Sequence, residues 1–267
     1  MNAGADSGGW DCHVHVFDGR PSPGHYQAPP RRLAMLEEAA QGLGVDRFVL
    51  VQPSVYGSDN SLLLETLRAA EPRHRGVVVL DAAVRDGELD AMHDAGVRGA
   101  RFNLVSPLGN AAGALDSLAP RLRERGWHVQ WYAGTAQLGQ IATLQRRHGF
   151  TAVLDHLAGM TPQGSHDVQA WDSLRMLADA GAWIKLSGWY RLASAPPYQD
   201  MEASIARVSS LFGDRCVWGS DWPHTSFMDA DAGLPPAYAD LWRPVIGALA
   251  PSRAAAVLRQ QPWALYR

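Results

Sequence analysis

The sequence predicts an α/β fold: a single-domain (β/α)8 barrel of the TIM type. Three observations carry that expectation. Short apolar strand segments alternate with helical segments along the chain, the strands can be counted to eight, and no composition shift or linker interrupts residues 10–267. Alternation of strands and helices makes a parallel sheet. Eight repeats within 267 residues favour closure into a barrel over an open doubly wound sheet. No Gly-x-Gly-x-x-Gly follows a strand, so a dinucleotide-binding fold lacks its signature.

Residues 1–9 are small and polar, without the charged and apolar regions of a signal peptide, and are expected to be a disordered tail. The first strand is expected at 10–17, Trp10-Asp11-Cys12-His13-Val14-His15-Val16-Phe17. Alternate side chains on a strand share a face, so His13 and His15 project together while Cys12, Val14 and Val16 project oppositely. A Gly- and Pro-rich loop follows, then a helix at 32–40 that ends before Gly42 and Gly44. The run at 47–52 is continuously apolar, as for a strand covered on both faces. Asp59-Asn60 reads as an N-cap pair for a Leu-rich helix at 61–70. The remaining strands fall at 75–81, 97–103, 128–132, 151–156, 183–186 and 216–221, with helices at 89–95, 115–125, 138–147, 170–180, 201–212 and 251–258.

Composition excludes several function classes. Hydrophobic residues make up 46% of the chain, enough for a large core. The formal net charge is −3 and there is no basic run, so nucleic acid has no electrostatic footprint. No apolar run approaches the roughly 18 residues that span a bilayer. Cys12 and Cys216 lie far apart without a Cys-x-x-Cys pattern and read as buried, reduced thiols of a cytoplasmic protein. Lys185 is the only lysine, so Schiff-base chemistry would have to use that residue.

In such a barrel, functional groups come from strand C-terminal ends and the loops after them. Those places hold His13 and His15, Ser54 in Gln52-Pro53-Ser54, Arg101 and Asn103, Tyr132, Asp155-His156, Tyr190-Arg191, and Asp221 followed by Trp222-Pro223-His224. So many polar side chains at converging strand ends point to an active site, because unpaired charge is costly inside a core. The histidines at 25, 74, 93, 128, 148 and 166 lie outside that pattern and read as surface or core residues. His224 either orients Asp221 or touches substrate. Trp189, Tyr190 and Trp222 either pack in the core or stack on a substrate ring.

Several of these motifs together resemble a known family. Asp11-Cys12-His13-Val14-His15, the Leu154-Asp155-His156 strand end and Trp218-Gly219-Ser220-Asp221-Trp222-Pro223-His224 are similar to the amidohydrolase superfamily. With Val51-Gln52-Pro53-Ser54-Val55-Tyr56-Gly57, Val97-Arg98-Gly99-Ala100-Arg101-Phe102-Asn103 and Gly126-Trp127-His128-Val129, the chain resembles the lactonase branch that contains the 2-pyrone-4,6-dicarboxylate hydrolases.

The resemblance implies an enzyme that opens the ester of a small carboxylated or sugar-acid lactone. Asp221 would be the general base for water, a role that suits an ionised, directed carboxylate. His13, His15 and His156 would surround the carbonyl oxygen, where charge develops. Arg101, Arg191, Tyr132 and Ser54 would bind the substrate, guanidinium being matched to carboxylate. The strand ends that supply a bridging Lys or Glu in binuclear relatives read Arg101-Phe102-Asn103 and Gln130-Trp131-Tyr132, which leaves no place for a binuclear centre. The expectation is that no metal is required; otherwise one Zn²⁺ would sit on His13, His15, His156 and Asp221. In that case a Zn²⁺-dependent non-oxidative decarboxylase of a small carboxylic acid is the alternative. The pyrone-dicarboxylate enzymes carry a further basic residue where this chain has Val105-Ser106-Pro107-Leu108, so a mono-anionic lactone is expected over a dicarboxylate.

Overall fold

The computed structural model describes residues 8–21, 26–105, 112–228 and 233–267. Residues 1–7 of the expected tail, His25, and Ser106-Pro107-Leu108 lie outside the described residues. Gly9, placed in that tail by the sequence, instead opens the first strand.

Eight strands lie in sequence order in one sheet, and each pairs in parallel with the next. They are β1 Gly9–Val14, β2 Val45–Val51, β3 Arg75–Val78, β4 Val97–Asn103, β5 His128–Tyr132, β6 Ala152–Leu154, β7 Trp183–Leu186 and β8 Cys216–Trp218. Between them run α1 Leu33–Ala40, α2 Ser61–Ala69, α3 Asp86–Asp94, α4 Leu115–Glu124, α5 Leu138–His148, α6 Val168–Asp179 and α7 Glu202–Phe212. The sheet closes where β1 meets the end of β8. The Asp221 N–H donates to the His13 carbonyl at 2.9 Å, and the His15 N–H donates to the Trp222 carbonyl at 2.8 Å. The arrangement is the predicted (β/α)8 barrel.

Asp11 fastens this closure from within. Its Oδ1 accepts the backbone N–H of Ser220 at 2.9 Å and of His13 at 3.1 Å, and its Oδ2 accepts the Tyr238 hydroxyl at 2.8 Å. Asp11 has no exposed surface, and burial raises its carboxyl to about 6 against these hydrogen bonds.

Strand alternation divides the apolar residues into two sets. Phe48 and Leu50 of β2, Ile184 and Leu186 of β7, and Cys216 and Trp218 of β8 face the helices and join the main core. Val49, Val51, Val77 and Val217 face the barrel interior with Trp10 and Cys12. Cys12 therefore does not sit with Val14 and Val16, as parity from the histidines predicts. The β1–β2 register slips between Asp11 and Val14, and a bulge there breaks the alternation. Both cysteines are free and buried, as expected.

Two further expectations change. Asn60 does not cap α2 with its side chain; it bonds both the N–H and the carbonyl of Val79, while Asp59 Oδ1 accepts the Ser61 N–H. The terminal helix does not stop at Leu258. After α8 Arg243–Ala248, α9 Pro251–Ala255 continues through a π-helical turn, Ala256–Gln260, into α10 Gln261–Tyr266. Pro262 lacks an N–H, so a regular α-ladder cannot pass through it. The last helix packs across the strand N-terminal ends: Trp10 stacks on Tyr266 at 6.0 Å, and Arg75 Nε donates to the Tyr266 carbonyl at 2.7 Å. Among the described residues, no helix is long and apolar enough to cross a membrane.

Replacing Asp11 by Ala should cost on the order of 3 kcal/mol in urea unfolding, because buried donors lose their acceptor. Asp11→Asn should cost less. The folded carboxyl, at about 6, lies above its ordinary 3.8. Its contribution is thus full below about 3.8 and is lost as the pH rises through about 6. Asp11→Asn, which cannot ionise, should lose less stability than the wild type between pH 4 and 7.

Candidate active site

The strand C-terminal ends bring the four expected catalytic side chains together. His15 Nε2 lies 3.3 Å from Asp221 Oδ1 and His13 Nε2 lies 3.6 Å from the same oxygen. His156 Nε2 lies 3.9 Å from Asp221 Oδ2. All four residues are buried. Asp221 and His156 adopt left-handed backbone conformations, with φ of 61° and 48°. Such strain in non-glycine residues concentrates at functional sites.

Two glycines let these rings fit. A Cβ on Gly219 would stand 2.6 Å from His13 Cβ, and one on Gly188 would stand 2.4 Å from His156 Nδ1. Gly188 also has φ of 68°, open to glycine at little cost.

The outer nitrogen of each histidine is differently partnered. His15 Nδ1 lies 2.7 Å from the Val51 carbonyl, which can only accept, so that nitrogen carries a proton. His156 Nδ1 lies 3.0 Å from Ser187 Oγ, which also accepts the His156 backbone N–H at 3.3 Å. His13 Nδ1 lies 3.4 Å from Lys185 Nζ and 3.2 Å from Asp155 Oδ1.

Asp155, Lys185 and Gln130 form a buried layer under the site. Lys185 Nζ donates to Gln130 Oε1 at 2.7 Å and stands 3.5 Å from Asp155 Oδ1. Gln130 Nε2 donates to Asp155 Oδ2 at 3.0 Å, and Arg101 Nε lies 3.3 Å from the same oxygen. The sequence reading treats Asp155 only as part of a motif and Lys185 only as a Schiff-base candidate. The available signal is a lone lysine flanked by Ile184 and Leu186, since alternation aims its charge into the barrel.

Electrostatics follow from burial and pairing. Burial pushes the Asp221 carboxyl up, but Arg191, then His156, His15 and His13, bring it well below the usual carboxylate range. Asp155 is likewise raised by burial and brought well below that range by the charged groups around it, Lys185 and Arg101 among them. Burial lowers His13 well below its ordinary value and His156 to about 4, so both are neutral near pH 7.

Above these residues opens a cavity of about 300 Å³, lined by all four expected binding residues, Ser54, Arg101, Tyr132 and Arg191. Tyr26 and Asn103 also line it and are absent from the expected set. Arg191 Nε and the Tyr190 hydroxyl each donate to Asp221 Oδ2 at 2.5 Å. Arg191 also reaches Thr225 Oγ1 at 2.6 Å. Tyr190 is thus a hydrogen-bonding partner of Asp221. Trp189 is core, with its Nε1 donating to the Leu241 carbonyl at 2.8 Å. His224 packs edge-on against Tyr190, and its backbone N–H donates to the Asp221 carbonyl.

Residues 10–267 match the amidohydrolase family along their whole length. The chain belongs to the amidohydrolases. It is 31% identical over 252 residues to a 2-pyrone-4,6-dicarboxylate hydrolase of Comamonas testosteroni, covering 85% of this chain and 81% of the relative. A 4-sulfomuconolactone hydrolase of Rhizobium radiobacter is 30% identical over 238 residues, covering 83% and 78%. Among solved structures, a probable 2-pyrone-4,6-dicarboxylic acid hydrolase of Acinetobacter baumannii with citric acid bound superimposes with a TM-score of 0.83. That pair is 25% identical, and the match covers 97% of this amidohydrolase and 98% of the other chain.

Gly188→Ala should displace the His156 ring and destabilise the protein by on the order of 2 kcal/mol through backbone strain and overlap. Urea unfolding, with the imidazole resonances of His156 followed by NMR, measures both effects.

Proposed function

We propose that this amidohydrolase opens a small mono-anionic lactone by hydrolysis, with Asp221 as general base. The observation that carries the reading is a buried, ionised Asp221 among three imidazoles, one of which, His15, lines an arginine-walled cavity. The lactone-hydrolase names of two relatives point the same way.

In this mechanism Arg101 and Arg191 hold the substrate carboxylate, with Ser54 and Tyr132 on its other polar groups. A water in contact with Asp221 Oδ1 and His15 Nε2 gives its proton to Asp221 as its oxygen attacks the carbonyl carbon. The carbonyl oxygen becomes an oxyanion beside His13 and His156, whose Nε2 atoms face it. Collapse breaks the ring C–O bond, and the leaving oxygen takes the proton back from Asp221. The product is the ring-opened hydroxy acid or its keto tautomer.

Charge balance supports one substrate anion. Arg101, Arg191 and Lys185 are three cations set against two internal carboxylates, Asp155 and Asp221. One further negative charge neutralises the cluster, whereas two overshoot it.

A metal fits the donor set poorly. His13, His156 and Asp221 do bring one potential ligand atom each within 4.8 Å of one another. A ligating histidine, however, offers a bare Nε2 and donates its Nδ1 proton to an acceptor. Behind His13 Nδ1, the group with hydrogen-bonding geometry is the Lys185 ammonium, which cannot accept that proton. We therefore propose that no metal is required.

The test is a proton-release assay over pyrone dicarboxylate, muconolactones and sugar-acid lactones, with and without chelator. Turnover should survive chelation, favour a mono-anion, and fall by about 10²–10⁴ in Asp221→Asn. Absence of lactone turnover, with CO₂ released from a carboxylic acid only when zinc is present, would overturn the proposal in favour of decarboxylation. With the active substrate, kcat should stay level from pH 8 to about 5.5. It should then decline as the pH falls towards 4, where His156 acquires a second proton.

A further inference from the structure

Lys185 is the chain's only lysine, has no exposed surface, and lies directly beneath the histidine cluster. A buried ammonium needs a reason to be retained, since taking it out of water costs several kcal/mol by order of magnitude. Balancing Asp155 is only part of that reason, because Arg101 and Gln130 already bond Asp155 Oδ2. The other part lies at His13.

Two groups approach His13 Nδ1. Asp155 Oδ1 is the nearer at 3.2 Å, yet that oxygen makes no aligned hydrogen bond among the described residues. Lys185 Nζ, at 3.4 Å, does have hydrogen-bonding geometry to the ring nitrogen. An ammonium has donors and no acceptor, so a ring nitrogen bonded to it must present its lone pair. Neutral His13 then carries its proton on the other nitrogen.

We propose that Lys185 is a positioning residue that fixes the tautomer of His13, holding the ring proton on Nε2 so that it is donated to the substrate carbonyl oxygen. His15 is set in the opposite sense by the Val51 carbonyl. Lys185 thus secures one Nε2–H donor for the oxyanion on His13, while His15 keeps its Nδ1 proton on the Val51 carbonyl. A carboxylate behind a histidine ordinarily makes it a metal ligand. Here the lysine overrides the carboxylate.

The inference rests on the lactonase reading for its kinetics alone, so it is tested first without substrate. Protein labelled with ¹⁵N-histidine is compared with a His13→Asn variant to assign the His13 ring. The wild type should show the Nε2–H tautomer. Lys185→Met should move the proton to Nδ1, towards Asp155, and Lys185→Gln, whose amide can still donate, should retain at least part of the wild-type signal. A wild-type His13 protonated on Nδ1, or a signal unmoved by Lys185→Met, overturns the inference even if lactones are turned over. If Lys185→Met does not fold, the wild-type signal and the Gln variant decide the matter.

On an active lactone, Lys185→Met should lower kcat about 10- to 100-fold with KM changed less than about threefold, by analogy with other second-layer partners of catalytic imidazoles. Lys185→Gln should recover part of that loss. Equal losses in Met and Gln would point to charge or packing as the whole role of Lys185 and overturn the tautomer assignment. If wild-type protein turns over no lactone while the NMR result holds, the proposed activity fails and the assignment of Lys185 stands.

Discussion

The closure between β1 and the end of β8 is the constraint on which the rest of this structure depends. His13 and His15 belong to the beginning of the chain and Asp221 to its last strand end, so they meet only when the barrel is shut. The same backbone bonds that shut it, from Asp221 to His13 and from His15 to Trp222, set the spacing of the catalytic groups. Asp11 adds three acceptor contacts at this seam. Stability and the geometry of the candidate site are therefore one property at this place, and a change that loosens the seam also separates Asp221 from the imidazoles.

A second constraint is electrical. Five charged groups and three imidazoles share an interior that water barely enters, and isolated charges there would be very unfavourable. The structure answers with interlocking pairs. Asp155 is met by Lys185, Arg101 and Gln130, and Asp221 by Arg191 and Tyr190. Each arginine at the cavity wall thereby serves two directions, towards an internal carboxylate and towards the cavity. An anion entering that space joins a network already arranged for it, so little reorganisation accompanies binding.

Much of this was legible in the sequence because strand ends in a barrel are chemically distinctive. β4, β5 and β7 fall at the residues expected, since each is a short apolar run bounded by turn residues. The residues of the candidate site could be gathered by position alone, as polar groups closing apolar runs. What alternation could not reveal was an irregularity in alternation: the slip in β1 puts Cys12 inside the barrel, and strict parity puts it outside. Hydrogen-bond direction was equally hidden. Asn60 has the composition of a cap, yet tertiary contact with Val79 takes its amide. Lys185 stood out as a lone lysine, but its neighbours come from β1, β5 and β6, and only the closed barrel shows them.

The helix that crosses the strand N-terminal ends has a consequence for how the protein is made. Trp263 and Tyr266 cover Trp10 at the floor of the barrel, and Arg75 and Arg98 bond the carbonyls of Tyr266 and Arg267. During synthesis all eight strands emerge before this stopper does. In the folded protein it closes the interior below Lys185 from that side. The dry surroundings of Lys185 thus depend on a helix at the end of the barrel opposite the cavity.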